Sequence, residues 1–192
     1  LCEGLGHRVE EASPAIAYEP LLQAFQLVVR AQTASLLNLI GQMQGRQVTA
    51  DMVEPQTWQL ARAGRKASAA DLSGAKSLFN TATRTVASFL RSYDVILTPT
   101  LGEPPRELGY FDTVNLPLDV LGKRVFDFIP FTWLHNVTGC PAMSVPLYWN
   151  DDRLPVGVQF AGRYAEEATL YRLAGQLEEA RPWRNRVPET AT

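Results

Sequence analysis

Ser73 and Lys76 are the pair whose spacing most directly permits covalent chemistry in this sequence. The run Ser73-Gly74-Ala75-Lys76 places a hydroxyl and an amine about one helical turn apart, so the amine could take the hydroxyl proton during nucleophilic attack. Serine hydrolases with this S-x-x-K pattern also carry S-D-N and K-T-G elements, and neither occurs in the sequence. Two interpretations remain, a hydrolytic dyad and a solvated helix face, and the second is favoured.

His135 and Cys140 could form a second reactive pair, because a thiol is activated when an imidazole lies within hydrogen-bond reach. Cys140 stands between a glycine and a proline, where a small buried residue is the simpler interpretation. The intervening Asn136-Val137-Thr138 matches a glycosylation sequon, but we favour a loop in which the Asn136 and Thr138 side chains hold the turn.

Other motifs that carry chemistry are missing from the sequence. It contains no G-x-S-x-G elbow, no glycine-rich phosphate loop ending in Lys-Ser or Lys-Thr, and no H-E-x-x-H. Its two cysteines and two histidines have neither the number nor the spacing of a disulfide framework or a zinc site. We therefore expect no metal and no cofactor.

Composition excludes several partners. The chain has 192 residues, of which 46% are hydrophobic and 20% charged, and its formal net charge is −2. Such a balance is typical of a globular domain and gives no field that would attract nucleic acid. No apolar run approaches the ~20 residues that span a bilayer. We expect a cytoplasmic protein that binds neither nucleic acid nor membrane.

Three helices are predicted in the first half of the chain. Pro20 suits the first turn of the first helix, which runs to about Gln44, and the second runs from Glu54-Pro55 to Gly64. The third begins at a capping box formed by Ser68 and Asp71 and continues to about Ser92. Three- and four-residue spacing predicts that the first helix buries a stripe made of Leu22, Phe25, Val29, Leu36, Leu39, Ile40 and Met43.

Strands and a long loop are predicted next. The continuous apolar run Val95–Leu97 suits a strand covered on both faces. From Leu101 to about Pro130 periodicity fails, so we expect a long loop over the mouth of a site. The aromatic run that follows leaves two interpretations open, a buried strand or the wall of an apolar substrate pocket. Its bulky members are Phe126, Phe128, Ile129, Phe131 and Trp133.

The C-terminal third is expected to form a strand pair and a helix. Strands Ala142–Leu147 and Val156–Ala161 flank a polar turn at 150–152, which predicts antiparallel pairing, with Pro141 and Pro146 bounding the first ladder. Gly157 would allow a neighbouring element to approach closely. A helix from about Glu166 to Pro182 follows, and Trp183 is expected to pack against the core.

The first residues of the chain resemble the end of a helix. Leu1 and Leu5 are spaced like the last turn of a helix that Gly4 or Gly6 ends, and Arg8–Ala12 could be a short strand. We expect the chain to be cut from something longer on its N-terminal side. Helices separate some strands and a tight turn joins others, so residues 1–192 are predicted to form one α/β lobe with a mixed sheet.

Several motifs, in order, resemble the amidase signature family of hydrolases. The resemblance rests on L-G-H-R-V near the start, Y-D-V-I-L-T-P-T, N-V-T-G-C-P-A-M-S-V-P-L, L-P-V-G-V-Q-F-A-G, and the final A-E-E-A-T-L-Y-R-L-A-G-Q-L-E-E-A-R-P-W. All of them are similar to the C-terminal part of that family. The resemblance implies an α/β/α sandwich around a mixed sheet.

The family's activity is hydrolysis of a carboxamide through an acyl-enzyme, and the resemblance implies that chemistry for the whole enzyme. It uses a nucleophilic serine, a second serine on a cis peptide and a lysine, which in the family precede everything present here. No G-G-S-S-G-like stretch occurs, and Lys66, Lys76 and Lys123 match no family lysine. No catalytic residue is therefore assigned, and the chain alone is expected to be inactive.

The resemblance carries over one set of candidate substrate-binding residues. The Asn136–Pro141 elbow matches the family's N-x-x-G-x-P, and residues just before it contribute to the acyl pocket in relatives. Ile129, Phe131, Trp133 and Asn136 are accordingly the candidates, and they suit an aliphatic or aromatic acyl group of a small amide, linear or cyclic.

Two functions from different classes follow. The first is the non-catalytic lobe of an amide hydrolase, whose partner is the N-terminal catalytic portion of the same enzyme. The alternative is a stand-alone binding or scaffold protein that keeps the lobe without the chemistry. A sheet edge left unpaired would be blocked by self-association, so a homo-oligomer is expected.

Overall fold

The chain combines helices with a small antiparallel sheet, and the predicted α/β class is confirmed. The structure is a computed structural model and describes residues 1–186. Short 3₁₀ turns occur at Glu3–Leu5 and Ala50–Met52. The regular elements are α1 (Tyr18–Gln44), α2 (Pro55–Gly64), α3 (Ala69–Phe89), β1 (Val95–Pro99), α4 (Leu118–Phe128), α5 (Thr132–Thr138), β2 (Ala142–Trp149), β3 (Pro155–Gly162) and α6 (Glu167–Ala180).

Local signals mark the end of α1 and the starts of α2 and α3 where they were predicted, although α3 ends at Phe89 and not near Ser92. Gly45 ends α1 in the left-handed conformation, with φ of 65°. Pro55 opens α2, where its missing N–H costs nothing. Ahead of α3, the Ser68 N–H donates to the Asp71 carboxylate at 2.9 Å, and the Asp71 N–H donates to Ser68 Oγ at 3.1 Å. This reciprocal pair is the predicted capping box.

The three strands form one antiparallel sheet in the order β1-β3-β2. The predicted pairing of β2 with β3 is confirmed, and the turn between them is fixed by Asn150, whose Oδ1 accepts the Leu154 N–H at 2.8 Å. Arg153 adopts a positive φ of 61° in the same turn. Within residues 1–186 both pairings are antiparallel, so this part of the chain contributes no parallel pair to a mixed sheet.

Strand β2 runs past Pro146, and the prediction that this proline ends the ladder was wrong. Register with β3 is regular from Ala142 to Val145, shifts, and resumes at Tyr148 opposite Val156. A proline cannot donate to a ladder, but an irregularity of this kind leaves a residue unpaired and absorbs it. The strand therefore extends to Trp149.

The residues group into two compact units. The first contains Leu1–Ala15, Thr83–Pro105 and the chain from Ile129 onward. Its core lies between one face of the sheet and α6, and Trp183 packs against it as predicted. The buried members of this core are Val145, Leu147, Phe160, Leu170, Leu173 and Leu177.

The second unit contains Ile16–Ala82 and Arg106–Phe128, and close packing of α1 on α2 dominates it. A Cβ added at Gly64 would lie 1.9 Å from the Arg30 carbonyl oxygen, so the two backbones approach closely only because residue 64 is glycine. The stripe predicted for α1 was wrong in part, since Leu36, Leu39 and Met43 are exposed. Three of the five buried residues of α1 are small instead. The five are Leu21, Ala24, Ala34, Leu37 and Gly41.

Helix α4 replaces part of the long loop predicted between Leu101 and Pro130, and that prediction was wrong over Leu118–Phe128. The apolar residues there recur at helical spacing, and Leu121 is buried with 1% of its surface exposed. Gly122 suggested an interruption, but it lies within the helix with open space around its Cβ position. Pro117 accepts the first helical hydrogen bond, from the Leu121 N–H at 2.9 Å.

Two predicted strands differ from the structure. Residues 8–12 form no ladder, so the short strand expected at Arg8–Ala12 is absent from the described part of the chain. Strand β1 is present, but it is not covered on both faces, because Leu97 is 43% exposed. β1 lies at an edge of the sheet, and a short apolar run does not distinguish an edge strand from a central one.

Candidate substrate-contacting surfaces

The four predicted substrate-binding residues lie on or just before α5, in the first unit. Ile129 and Phe131 precede the helix and are half-buried, Trp133 is buried within it, and Asn136 is exposed near its end. A buried strand over this aromatic run was one interpretation, and it is wrong, since the run is the end of α4 followed by α5. The structure thus brings the four onto one short segment.

The four residues differ in solvent exposure, so they differ in whether they could contact a substrate. Only 1% of Trp133 is accessible, so its indole supports the segment from inside and does not face an open surface in this chain. Phe131 retains accessible apolar surface, and the exposed Asn136 amide offers one acceptor and two donors. A wall with this composition can hold an apolar acyl chain and orient one polar group.

Gly139 forms the turn after α5. Gly139 ends the helix with φ of 70°, and its N–H donates to the His135 carbonyl oxygen at 2.9 Å. Thr138 Oγ donates to the Leu134 carbonyl oxygen at 3.1 Å, so the threonine caps a helical turn and does not hold a loop. The Asn136–Thr138 segment is thereby helical, which corrects the expected loop.

His135 and Cys140 are not organised as a reactive pair. His135 is 7% exposed, and its Nδ1 is buried without a hydrogen-bond partner. Burial lowers the pKa of this imidazole below its ordinary value, so it is neutral near pH 7. Cys140 is half-buried and free, not enclosed as expected.

Ser73 and Lys76 lie on an exposed face of α3. Neither side chain hydrogen-bonds the other, and the Ser73 carbonyl oxygen accepts from Ser77 Oγ at 3.1 Å, an ordinary helical contact. The arrangement supports the solvated helix face and gives the serine no base.

A polar cluster on the sheet was missed in the sequence. It consists of Thr98, Thr100, Ser144 and Gln159, on the face opposite the α6 core. Gln159 is 5% exposed and donates from Nε2 to Thr98 Oγ1 at 3.1 Å. Thr100 Oγ1, on the residue that follows β1, and Ser144 Oγ, on β2, lie 2.6 Å apart.

Gly157 makes the contact between those two hydroxyls possible. It lies on β3 between them, and a Cβ there would be 2.7 Å from Ser144 Oγ and 2.8 Å from Thr100 Oγ1. The close approach expected at Gly157 is therefore confirmed. Alternation along the three strands was the sequence signal for the cluster, but the register that aligns its members required the structure.

The polar cluster could hydrogen-bond a ligand, but it has no base that would activate a hydroxyl as a nucleophile. Its members are neutral, and within residues 1–186 no imidazole, amine or carboxylate hydrogen-bonds either Thr100 or Ser144. A hydroxyl becomes a nucleophile when an adjacent base takes its proton, which neither residue possesses here. In the described residues no group of three or more histidine, cysteine, aspartate or glutamate side chains could hold a metal ion. None of the described helices is long and apolar enough to cross a membrane.

Comparison with known proteins gives consistent matches. The family model described as Amidase matches residues 1–171. "Putative amidase AmiC" of Mycobacterium tuberculosis is 34% identical over 188 residues, which cover 95% of this chain and 38% of that protein. The 6-aminohexanoate-cyclic-dimer hydrolase of Paenarthrobacter ureafaciens is 28% identical over 193 residues, covering 96% of this chain and 39% of that protein.

A solved structure agrees with the sequence matches. The structure of 6-aminohexanoate cyclic dimer hydrolase superposes with a TM-score of 0.88 at 26% identity, covering 97% of this chain and 40% of that one. The chain thus spans about two fifths of the length of the relatives it matches, and it resembles the C-terminal portion of an amidase signature enzyme. Because the family model covers most of its residues, the chain belongs to the amidase family.

Proposed function

We propose that residues 1–192 are one non-catalytic lobe of an amide hydrolase and supply part of its substrate-pocket wall. The observation that carries the proposal is the family match over residues 1–171 in a chain that contains no Gly/Ser-rich nucleophile stretch. The acyl-enzyme chemistry then belongs to a catalytic portion outside this sequence, with its Ser-cisSer-Lys triad. By the same reasoning this chain alone does not hydrolyse amides.

In this proposal the α5 segment lines the acyl side of the pocket. Ile129 and Phe131 present apolar surface, Trp133 supports them from the core, and Asn136 hydrogen-bonds the substrate. Such a surface suits a small carboxamide with an aliphatic or aromatic acyl group. The similarity to a cyclic-dimer hydrolase extends the substrate class to cyclic amides. We place the enzyme in the cytoplasm, as a homo-oligomer.

A chimera tests the pocket wall. The aligned region of the P. ureafaciens hydrolase is replaced by this chain, and cleavage of small carboxamides is followed by amine release. Phe131→Ala is expected to raise KM or lower kcat/KM about tenfold or more for apolar acyl groups, because apolar contact with the acyl chain is lost. Asn136→Ala is expected to lower kcat/KM across acyl groups, since the hydrogen bond does not depend on chain length.

Tyr171→Ala is the matched control, because Tyr171 is 77% exposed on α6, far along the chain from the pocket segment. It should leave both parameters unchanged. An active chimera in which Phe131→Ala and Asn136→Ala behave like Tyr171→Ala would remove the α5 segment from the pocket.

A further inference from the structure

A pocket of about 580 Å³ lies in the second unit, where the last two turns of α1 pack beside α2. Its lining comes from positions within 37–48 and, across from them, from Trp58 and Arg65. We call it the α1–α2 pocket. All of its lining residues belong to the second unit, and none of the four substrate-binding candidates is among them, so it is a separate feature of the molecule.

The inner surface of the α1–α2 pocket is apolar. Leu37 is buried, and Val48 and Trp58 are half-buried against the same core cluster. A Cβ at Gly41 would lie 2.9 Å from the Arg46 carbonyl oxygen, so this glycine lets residues 46–48 fold back over α1 and close the wall. A surface of this kind can cover the apolar body of a ligand.

Two exposed arginines that line the pocket have no carboxylate partner within residues 1–186. The Arg65 guanidinium carbon lies 5.1 Å from the centroid of the Trp58 ring, a cation–π contact, and the guanidinium makes no ion pair or hydrogen bond in that range. Arg46 contacts only a neutral side chain, through Nε at 3.5 Å from Gln44 Oε1. Both guanidinium groups are therefore available to a ligand.

Negative charge near the pocket is too small to neutralise these arginines. The C-terminal end of α1 contributes about half an elementary charge, against the two full positive charges of Arg46 and Arg65. The pKa of Asp51 is lowered chiefly by the hydrogen bond from Thr49, and Arg46 makes the smallest contribution to that shift. Asp51 is thus held by its own loop, and the pocket keeps a positive charge.

We infer that the α1–α2 pocket binds a small organic carboxylate with an apolar or aromatic body. The planar fork of arginine pairs with both oxygens of a carboxylate, and Trp58 holds the Arg65 fork beside the apolar surface. A cation would meet two guanidinium groups, and a bare phosphate would leave the apolar surface uncovered. The volume is within the range of small-molecule sites, about 300–1,000 Å³. This inference goes beyond the proposed function and does not depend on it.

Titration with three probes separates the contribution of charge from that of apolar contact. Phenylacetate has both features, 2-phenylethanol keeps the ring without the charge, and acetate keeps the charge without the ring. Binding is followed in the full chain and in the P. ureafaciens chimera through the NMR signal of the Trp58 indole N–H, which is identified by its absence from Trp58→Phe. We expect phenylacetate to bind at least about tenfold more tightly than either other probe, because each of those lacks one contact.

Arginine substitutions locate the carboxylate. Arg65→Gln should weaken phenylacetate binding about tenfold and change 2-phenylethanol binding less than about twofold, because only the charge is removed. Arg46→Gln should act in the same direction. Arg62→Gln is the matched control, since Arg62 is an exposed arginine of α2 that does not line the pocket, and it should retain the original affinity. The thermal unfolding transition of each variant shows that it is folded.

Equal affinities for phenylacetate and 2-phenylethanol would overturn the inference, as would equal losses in Arg62→Gln and Arg65→Gln. Binding to the full chain that is absent from the chimera would also overturn it, because the catalytic portion would then cover the pocket. None of these readouts uses amide hydrolysis, so an inactive chimera would contradict the proposed function alone.

Discussion

At the scale of single residues, two glycines determine the geometry of the α5 elbow and of the polar cluster. Gly157 allows Thr100 and Ser144 to meet across β3, and Gly139 turns the chain from α5 into the elbow before β2. In both places the larger residues are positioned by a neighbour that lacks a Cβ. Gly157 was recognisable from its place in an alternating strand, but its contacts were not, because they depend on the register of three strands.

Gly157→Ala should destabilise the chain by about 1–3 kcal/mol, because the new methyl forces the Thr100 and Ser144 hydroxyls apart. Gly175→Ala is the control: it lies on the exposed side of α6 with nothing within 4 Å of its Cβ position, and should stabilise by roughly 0.5–1 kcal/mol. Urea unfolding measures both. Equal effects of the two substitutions would mean that the hydroxyl contact carries no packing constraint.

His135 should make stability depend on pH. Its pKa is lowered in the folded chain by burial, so the unfolded chain binds the proton more readily. The stability that the neutral imidazole allows is complete above about pH 6.5 and is lost as pH falls through the folded pKa. We expect Tm to decline as pH falls below about 6.5.

The second histidine provides the control. His135→Gln should flatten the decline in Tm over that range, whereas His7→Gln, at an exposed residue, should not. The same pH slope in all three proteins would show that His135 is not the titrating group.

At the scale of elements, one arginine connects segments that are distant in sequence. Arg163, just after β3, donates from Nε to the Leu90 carbonyl oxygen at 2.7 Å and from Nη2 to the Tyr93 carbonyl oxygen at 3.0 Å. It also contacts Asp94 at 3.0 Å and Glu166 at 3.3 Å. The carboxylates raise the pKa of the guanidinium, with Asp94 the larger cause. The fork thus fixes the entry of β1 relative to the start of α6.

Arg163→Lys should cost about 2 kcal/mol of unfolding free energy, chiefly because lysine has one terminal nitrogen in place of the separate Nε and Nη2 that donate to the two backbone carbonyls. Asp94 is mostly exposed, so its ion pair adds little. Arg181→Met, at an exposed position after α6, should change stability by less than about 0.5 kcal/mol in the same unfolding assay. If Arg163→Lys lowers the unfolding free energy no more than Arg181→Met does, the Arg163 hydrogen bonds to the Leu90 and Tyr93 carbonyls do not stabilise the chain.

Elements with local end signals could be predicted from sequence, and elements without them could not. Gly45, Pro55 and the Ser68–Asp71 pair fixed helix ends through contacts within a few residues. Helix α4 was missed because the proline and glycine residues around it resemble loop punctuation, although its apolar spacing is helical. The α5 segment was hidden because alternating aromatic residues over so few positions fit a strand equally well.

At the scale of the whole molecule, the proposed division between a supporting lobe and a catalytic portion rests on family membership. The chain belongs to the amidase family and spans about two fifths of the length of its relatives. Motif order was enough to indicate the family, because several strands and turns carry recognisable runs. For substrate contact the sequence could offer only the α5 segment as a candidate. The burial of Trp133 and the exposure of Asn136 arise from packing that the sequence does not display.

Amide hydrolysis by the purified chain alone tests whether the catalytic serine lies outside this sequence. Release of ammonia or amine from a panel of linear and cyclic carboxamides is measured for the chain, for its Ser73→Ala variant, and for the P. ureafaciens chimera. We predict no turnover above background for the chain or its variant, and turnover by the chimera. Turnover by the chain alone that Ser73→Ala abolishes would contradict the account, because the nucleophile would then lie within this sequence.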